Sequence, residues 1–165
     1  MFNIAEATEK EIPAIIDIAE KTWWPTYSPI LPEEQIRFML DAIYAPAHIR
    51  EQMQRRTQKY LLLSTIDGPQ AFTSFGQRPD EPTVYKLYKL YVLPGNHKKG
   101  FGQALISEII HDLVKKNADI LDVNVNRYNH PAIRFYEKFG FKLLREEDIP
   151  VGPYWMNDYV LRLTL

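Results

Sequence analysis

The chain has 165 residues, and 45% of them are hydrophobic, which is enough for one sizeable core. The chain is too short to expect two domains, so we expect one domain over residues 1–165. Its 20 Lys and Arg side chains nearly balance its 21 Asp and Glu side chains, and this balance gives no reason to expect nucleic acid or an anionic membrane as a partner. Cysteine is absent, which excludes disulfides, thiolate metal sites and a cysteine nucleophile.

The chain has no apolar run of about 18 residues, as a membrane-spanning helix needs, and its N-terminus lacks the pattern of a signal peptide. We therefore expect a cytoplasmic protein that contacts no membrane. The four histidines lie far apart in the sequence, and we expect no metal site.

Hydrophobic periodicity and turn residues predict alternating strands and helices along the chain. The elements predicted in the first half are a strand at Phe2–Ala7, a helix opened by a capping box at Thr8–Glu11 and ended by Trp23–Pro29, a helix from Pro32 to about Pro46, a turn or two of helix at His48–Arg56, and a hairpin of Tyr60–Ile66 with Gln70–Gln77.

The second half continues with strand–helix–strand units. Its predicted elements are a strand at Val84–Val92, a helix carrying the buried stripe Leu105, Ile109 and Leu113, a strand at Ile120–Asn126, a helix at Pro131–Phe139 capped by Gly140, and strands at Phe141–Glu146 and Trp155–Leu165. This order predicts a mixed central sheet with helices on its faces.

The break between the fourth strand and the following helix has the features of an anion site. After Pro94 and Gly95 comes a basic turn, Lys98–Gly102, that leads directly into the helix. Exposed backbone N–H groups at a helix N-terminus bind phosphate, and Gly100 and Gly102 let a diphosphate approach the backbone closely. The alternative is that the glycines only turn the chain and the lysines are solvated.

Two other phosphate motifs do not fit this turn. No Gly-Lys-Ser/Thr is present, as a nucleoside-triphosphate loop requires, and Leu105 occupies the third glycine position of a dinucleotide fingerprint.

Three segments are to be read together: Leu90-Tyr91-Val92, the basic turn Lys98–Gly102, and Asn129–Phe141 with the sequence NHPAIRFYEKFGF. Together they resemble the GCN5-related N-acetyltransferase (GNAT) superfamily. The resemblance implies an α/β fold with a mixed, mostly antiparallel sheet of about seven strands and helices on both faces. It also implies that the fourth and fifth strands splay apart and that acetyl-coenzyme A is the cosubstrate.

The resemblance also implies which residues bind the cosubstrate. Backbone groups of Tyr91, Val92 and Leu93 would pair with its pantetheine arm. The diphosphate would be held by the turn residues His97, Lys98, Lys99, Gly100, Phe101 and Gly102, and the set is completed by Asn129, Tyr136 and Lys138. His97 departs from the family pattern, which has Gln or Arg at this place.

In the family, a tyrosine that matches Tyr136 lies near the thioester sulfur. The resemblance implies that Tyr136 protonates the leaving thiolate after direct attack of an amine on the thioester, although Tyr136 could also be one more core aromatic. Many relatives carry a glutamate as base in the fourth strand, where this chain has Lys86. Tyr88, Glu81 and His130 are conceivable substitutes, and the sequence assigns none of them.

Aromatic side chains and one carboxylate indicate where an amine acceptor would bind. Trp24 and Tyr27 follow the first helix, and Trp155 and Asp158 belong to the C-terminal hairpin. Aromatic faces with a carboxylate suit a cationic amine, although core packing explains these aromatics about as well. The C-terminal pattern resembles the diamine and spermidine acetyltransferase branch.

The sequence therefore predicts an N-acetyltransferase that acts on a primary amine of a small molecule, such as a polyamine, or of a peptide. The alternatives are a non-catalytic sensor that binds acyl-coenzyme A and an enzyme for longer acyl groups. A homodimer could form through the last strand, which we expect to be exposed.

Overall fold

The computed structural model describes residues 1–165 and consists of a seven-stranded sheet with five α-helices. The strands are β1 (Asn3–Glu6), β2 (Lys59–Thr65), β3 (Gly68–Arg78), β4 (Glu81–Val92), β5 (Ile120–Asn126), β6 (Lys142–Val151) and β7 (Tyr154–Thr164). The helices are α1 (Ile12–Tyr27), α2 (Glu33–Ile43), α3 (Pro46–Gln54), α4 (Phe101–Lys115) and α5 (His130–Lys138). None of these helices is long and apolar enough to cross a membrane.

The sheet has the strand order β1-β2-β3-β4-β5-β7-β6, and every neighbouring pair is antiparallel except β4 and β5. The parallel pairing covers only Val84–Leu87 with Ile120–Val123. Beyond this pairing β4 continues to Val92 and β5 continues to Asn126, but they no longer pair with each other, so the two strands splay apart. The predicted mixed sheet and its splay are confirmed.

Helices cover both faces of the sheet, as predicted. On one face, here called the α4 face, α4 and α5 pack on a core that includes Leu63, Phe75 and Leu121. On the other, here called the α1 face, α1, α2 and α3 pack on a second core that includes Leu62 and Phe72. The strand residues of this second core come from β2 and β3, with Tyr91 of β4 packed against them.

Helix α1 is longer than the sequence predicts. It continues through Pro25 to Tyr27, although we expected the segment Trp23–Pro29 to end it. Pro25 disturbs the helix only locally, through its missing N–H and its ring, because the Ser28 N–H still donates to the Trp24 carbonyl at 2.9 Å. Trp23 and Tyr27, one turn apart, are both buried in the α1-face core, and this burial favours continuing the helix.

The C-terminal hairpin also differs from the prediction. The last strand, β7, is not an exposed edge, because it lies between β5 and β6. The edge strand is β6, which extends to Val151 rather than ending at Glu146. An edge strand tolerates the charged residues and Pro150 of this segment because one side of its backbone is unpaired.

Candidate active site

The glycine turn, residues 94–102, joins β4 to α4. Gly95 has φ +91° and Gly100 has φ +77°, conformations that favour glycine over any other residue. The Asn96 N–H donates to the Leu93 carbonyl at 3.2 Å, and the Lys99 N–H donates to the Asn96 carbonyl at 3.1 Å. Helix α4 then begins with the Ala104 N–H donating to the Gly100 carbonyl at 3.0 Å.

Several backbone N–H groups of the glycine turn have no partner within the protein. The N–H groups of His97, Lys98 and Gly100 bind no backbone acceptor, and the first turn of α4 adds the N–H groups that no helix satisfies internally. The side chains of His97, Lys98 and Lys99 are exposed around them. Uncompensated donors, a helix N-terminus and positive side chains fit a diphosphate.

Gly102 lies in a closely packed place, and its backbone angles do not call for glycine. A Cβ atom at this position would lie 3.3 Å from Cζ of Phe135 and 3.7 Å from Cγ2 of Val92. The start of α4 therefore packs closely against α5 and the end of β4. Phe101 is buried in the α4-face core, with its ring 5.7 Å from that of Phe2.

The end of β4 offers backbone groups to the splay. The Leu93 N–H donates to the Gln70 carbonyl at 2.9 Å, so it is occupied on the β3 side. Since successive residues of a strand alternate their bonding direction, Val92 points its N–H and carbonyl toward the gap. Of the three predicted backbone contacts, Val92 is the best placed to pair with an extended ligand in the gap.

Three tyrosines surround the splay. Tyr136 of α5 is buried, and its ring packs against those of Phe135 and Phe141, both at 5.4 Å. The hydroxyls of Tyr27 and Tyr91 are 3.2 Å apart. Tyr136 belongs to the α4-face core, whereas Tyr27 lies in the α1-face core and Tyr91 packs against it. Burial raises the pKa of Tyr136, and the charge of Tyr27 raises it further. Burial also raises the pKa of Tyr27 to about 12.

Asn129 and Lys138 lie at the two ends of α5. Asn129 caps the helix, its Oδ1 atom accepting the Ala132 N–H at 3.3 Å. This bond leaves its side-chain N–H groups for another partner. Lys138 is exposed in the last turn. The cofactor-binding roles of both residues stay predictions.

On the α1 side of the sheet, β4, β5, β7 and β6 carry a group of polar side chains, here called the polar face. Leu121, Val123 and Val125 of β5 point into the α4-face core, so the alternating residues point to the opposite face. These are Asp122, Asn124 and Asn126. The register continues this row outward, with Asp158 of β7 opposite Asn126 and Glu147 of β6 opposite Asp158.

Asp158 is the carboxylate at the centre of the polar face. It is 6% exposed, and the Nδ2 atom of Asn124 donates to its Oδ2 at 3.3 Å. The same Nδ2 donates to Oε1 of Glu147 at 3.2 Å. The other oxygen of Asp158, Oδ1, is buried and has no hydrogen-bond partner. Burial raises the pKa of Asp158 to about 6.

Lys86, the position at which the family resemblance implied a glutamate base, lies on the polar face. It is opposite Asp122 in the β4–β5 register, and its Nζ atom is 5.1 Å from the ring centroid of Tyr88. Burial lowers the pKa of Lys86, and the charge of Arg78 lowers it further.

The other conceivable bases lie in different surroundings. Glu81 is at the opposite end of β4 from the splay, with Oε2 3.9 Å from Nε of Arg78. His130 is exposed at the first residue of α5, and Tyr88 is 37% exposed.

The predicted acceptor residues are only partly brought together. Tyr27 and Asp158 share the polar face near the splay, and the charge of Asp158 raises the pKa of Tyr27. Trp24 instead contacts Glu20 and Arg37, which line a cavity of about 310 Å³ between α1, α2 and α3. Trp155 is 57% exposed, and its carbonyl accepts the Gln35 side chain at 2.8 Å. Substrate contacts of the two tryptophans stay predictions.

Sequence reasoning missed Asn124 and Glu147. The available signal for Asn124 was the alternation of Ile120–Asn126, which places three polar side chains on one face of a central strand. Glu147 could not be selected among the charged residues of β6, because its neighbours depend on the register with β7.

Comparison with known proteins agrees with this geometry. The profile of the Acetyltransferase (GNAT) family matches residues 16–141. An uncharacterized N-acetyltransferase of Mycobacterium tuberculosis is 30% identical over 144 residues, covering 87% of this chain and 91% of that protein. The spermidine N(1)-acetyltransferase of Thermoplasma acidophilum is 23% identical over 143 residues, covering 86% of this chain and 89% of that protein.

A solved structure has the same fold over the whole chain. The PaiA N-acetyltransferase from Thermoplasma acidophilum, in complex with coenzyme A, superimposes with a TM-score of 0.85 at 22% identity, covering 100% of this chain and 99% of that chain. The chain belongs to the GNAT family of acetyltransferases. It is an N-acetyltransferase, and its cosubstrate is acetyl-coenzyme A.

Proposed function

We propose that this enzyme transfers acetyl directly from acetyl-coenzyme A to a primary amine of a small molecule or peptide, with Tyr136 as the general acid. The observation that supports the proposal most directly is the burial of Tyr136 on α5, beside the start of α4 and the end of β4, where β4 and β5 splay apart. A phenol in this position can reach a thioester that enters the gap.

The chain offers a fitting site for each part of the cosubstrate. The free N–H groups of the glycine turn would hold the diphosphate, with the positive charges of Lys98 and Lys99 beside them. Val92 would pair its backbone with the amides of the pantetheine arm, as an added strand does. Acetyl-coenzyme A supplies an activated acetyl thioester to this gap.

Tyr136 would supply the proton that the departing thiolate needs. Burial raises the pKa of Tyr136, so the phenol stays protonated at neutral pH. The same burial raises the proton affinity of a thiolate released beside it, because both anions lose hydration in the gap. Because the two shifts have the same sign, proton transfer between the two groups keeps about the balance that it has in water.

The polar face favours an acceptor that carries positive charge. Asp158 and Glu147 contribute carboxylates there, and Tyr27 contributes an aromatic ring near the splay. A cationic amine is attracted both to carboxylates and to aromatic faces. The similarity to a protein named spermidine N(1)-acetyltransferase makes polyamines the first acceptors to test.

The test is release of free coenzyme A thiol from acetyl-coenzyme A in the presence of polyamines, amino acids, aminoglycosides or short peptides. We expect turnover with one class of amine and a kcat about 100-fold lower for Tyr136→Phe, since general acids typically contribute at least this factor. Binding of coenzyme A, measured by calorimetry, should be unchanged. Tyr85→Phe is the matched control, because Tyr85 lies on β4 where this strand still pairs with β5, away from the splay.

Two results would contradict the proposal. Turnover of Tyr136→Phe equal to that of Tyr85→Phe would remove Tyr136 from proton transfer. Binding of acetyl-coenzyme A without thiol release from any amine would favour a non-catalytic sensor.

A further inference from the structure

We infer that Asp158 is the group that accepts the proton of the acceptor amine, and that Asn124 positions it. This inference rests on the proposed function, because it assigns the proton acceptor of the same transfer. Position 86 of β4 holds a lysine, and the carboxylate comes instead from β7, on the other side of β5.

One carboxylate oxygen of Asp158 is buried without a hydrogen-bond partner. Asp158 is 6% exposed, yet its Oδ1 atom has no hydrogen-bond partner in the protein. A buried carboxylate with only a structural role normally has both oxygens hydrogen-bonded, because an unpaired buried acceptor is costly. An unpaired oxygen on a face next to a ligand gap is explained by a donor that arrives with the ligand.

A hydrogen bond from Asn124 fixes the orientation of the Asp158 carboxylate. Asn124 Nδ2 donates to Asp158 Oδ2 at 3.3 Å and to Glu147 Oε1 at 3.2 Å. Because both acceptors are carboxylates, the amide nitrogen must face them, and the side chain of Asn124 cannot be flipped. The Oδ1 atom of Asn124 is also buried without a partner. Two hydrogen-bonded neighbours therefore each keep one free acceptor, and a protonated amine or a water molecule carries enough donors for both.

The position of Asp158 along the sheet also supports this role. Asp158 is opposite Asn126, the last residue of β5, whereas the pairing of β4 with β5 ends at Val123. Asp158 is therefore level with the open half of the splay. It shares the α1 face with Tyr27, whose hydroxyl is 3.2 Å from that of Tyr91.

The charges around Asp158 leave it able to take a proton near neutral pH. Burial is the main cause that raises its pKa to about 6, and Glu147 of β6 raises it as well. Lys86 of β4, Arg127 after β5 and the Asn124 hydrogen bond act in the opposite direction. Tyr27 of α1 also faces it. At pH 7 the carboxylate is mostly ionised, and its raised pKa makes it a better proton acceptor than an exposed aspartate.

The carboxylate of Asp158 takes one proton from the acceptor ammonium, whose nitrogen then forms a C–N bond to the acetyl carbonyl carbon. As the C–S bond breaks, Tyr136 gives its proton to the coenzyme A sulfur and regains one from the new amide nitrogen. Asp158 returns its proton to water. The net products are the acetylated amine, free coenzyme A and one proton.

The first arm of the test measures kcat/KM against pH for the wild type and Asp158→Asn. The wild type should lose activity below a midpoint near pH 6, because the free enzyme must hold Asp158 ionised. Asp158→Asn should lose this midpoint and should be about 100-fold slower at pH 7, with a defect that shrinks as rising pH deprotonates the amine. An unchanged midpoint near pH 6 in Asp158→Asn would overturn the inference.

Glu147→Gln is the matched control, because it removes a carboxylate bonded to the same Asn124 nitrogen. Glu147 raises the pKa of Asp158, so this variant should keep the midpoint and move it to lower pH. Asn124→Asp should change the midpoint as well, because it replaces the donor with a second acceptor. If Glu147→Gln abolished the midpoint while Asp158→Asn kept it, Glu147 would be the proton acceptor.

The second arm does not require turnover. In protein with ¹³C-labelled aspartate carboxyls, the resonance that disappears in Asp158→Asn reports the protonation of Asp158. An ammonium ion that binds at Oδ1 should lower this pKa. The probe is the acceptor found by turnover or, if none is found, methylammonium. Absence of turnover with a lowered Asp158 pKa would count against the proposed function only, whereas a pKa that no amine changes would overturn the inference.

Discussion

The glycine turn and the polar face lie on either side of the splay and are built differently. The turn offers mainly backbone N–H groups from one short stretch, residues 94–102. The polar face is assembled from side chains of different strands, among them Lys86 of β4, Asn124 of β5 and Asp158 of β7. Backbone groups do not titrate, and their positions depend on dihedral angles. Side-chain groups titrate, and their positions depend on strand register.

This difference separates the chemistry that relatives can share from the chemistry that can vary. A site made of N–H groups tolerates many side chains, as long as glycine stands where φ is positive. A site made of side chains changes with single substitutions, for example at Lys86 or Asp158. We therefore expect pH and charge substitutions to affect the α1 face strongly and the glycine turn weakly.

The largest expected effect is the loss of stability when the ion pairs of the buried Asp122 on the polar face are broken. Asp122 is fully buried and accepts two bonds from Arg162, at 2.8 and 2.9 Å, and one from Arg78 at 3.3 Å. Arg162→Met should lower the free energy of unfolding by about 3 kcal/mol, because it leaves a buried carboxylate undercompensated. Urea denaturation at pH 7 measures this change.

The control for this prediction is Arg55→Met. Arg55 forms an exposed pair with Glu51 at 3.2 Å, and such pairs contribute about 0.5 kcal/mol or less. Equal losses for the two variants would contradict the idea that burial makes the polar face depend on its charges.

The next effect concerns Lys89, a buried lysine of β4 on the α1 face. Its Nζ atom donates to Tyr60 and Gln58, it has no carboxylate partner, and burial lowers its pKa to about 7. Below pH 7 the lysine is charged in both the folded and unfolded states, so burial of the charge has its full cost. Between pH 7 and 10.5 the unfolded state binds more protons, and the wild type gains stability as pH rises.

Lys89→Met should therefore be more stable than the wild type at pH 6, and its advantage should shrink by about 1 kcal/mol per pH unit above pH 7. Tyr60 and Gln58 keep their bonds to Gln52 and Ser74 in the variant. Denaturation at pH 6, 7, 8 and 9 measures the difference, and a difference independent of pH would show that Lys89 does not titrate in this range.

A smaller effect is expected from Gly100→Ala in the glycine turn. At φ +77° alanine costs about 1–2 kcal/mol, and relieving the strain would reorient the free N–H groups. We expect coenzyme A to bind about tenfold more weakly, by calorimetry. Gly68→Ala is the matched control, because Gly68 has φ +100° in the β2–β3 turn. It should lose similar stability and keep its affinity.

The smallest effect is expected from the lysines of the turn. The double variant Lys98→Ala and Lys99→Ala should bind coenzyme A only a few-fold more weakly, and the loss should disappear at about 1 M salt, because both side chains are exposed. A loss of 100-fold or more that persists in salt would mean that side chains, rather than backbone groups, hold the diphosphate.

The sequence predicted the elements whose signals are local. The bounds of β5 agree with the predicted Ile120–Asn126, since alternation and flanking polar residues define them. Gly140 has the predicted positive φ, at +100°. Tertiary packing decided the rest, because burial of Tyr27 extended α1 beyond Pro25, and pairing with β7 extended β6 beyond Glu146.

The same division holds for the site. The glycine turn could be selected from local sequence once Leu90-Tyr91-Val92 and Asn129–Phe141 were read with it, whereas the neighbours of Asp158 follow from the register of β5, β6 and β7. Sequence alone predicted Asp158 as part of a pocket for an amine, which stays a prediction, and could not give it Asn124 as a partner or an unpaired oxygen.

The most direct test of the account is the backbone amide NMR spectrum with and without coenzyme A. The account predicts the largest shift changes at His97, Lys98, Gly100 and Val92, with slowed exchange of these N–H groups, and small changes elsewhere. The contradicting result would be an unchanged glycine turn together with shifts around the cavity between α1, α2 and α3, which would place the cofactor away from the splay.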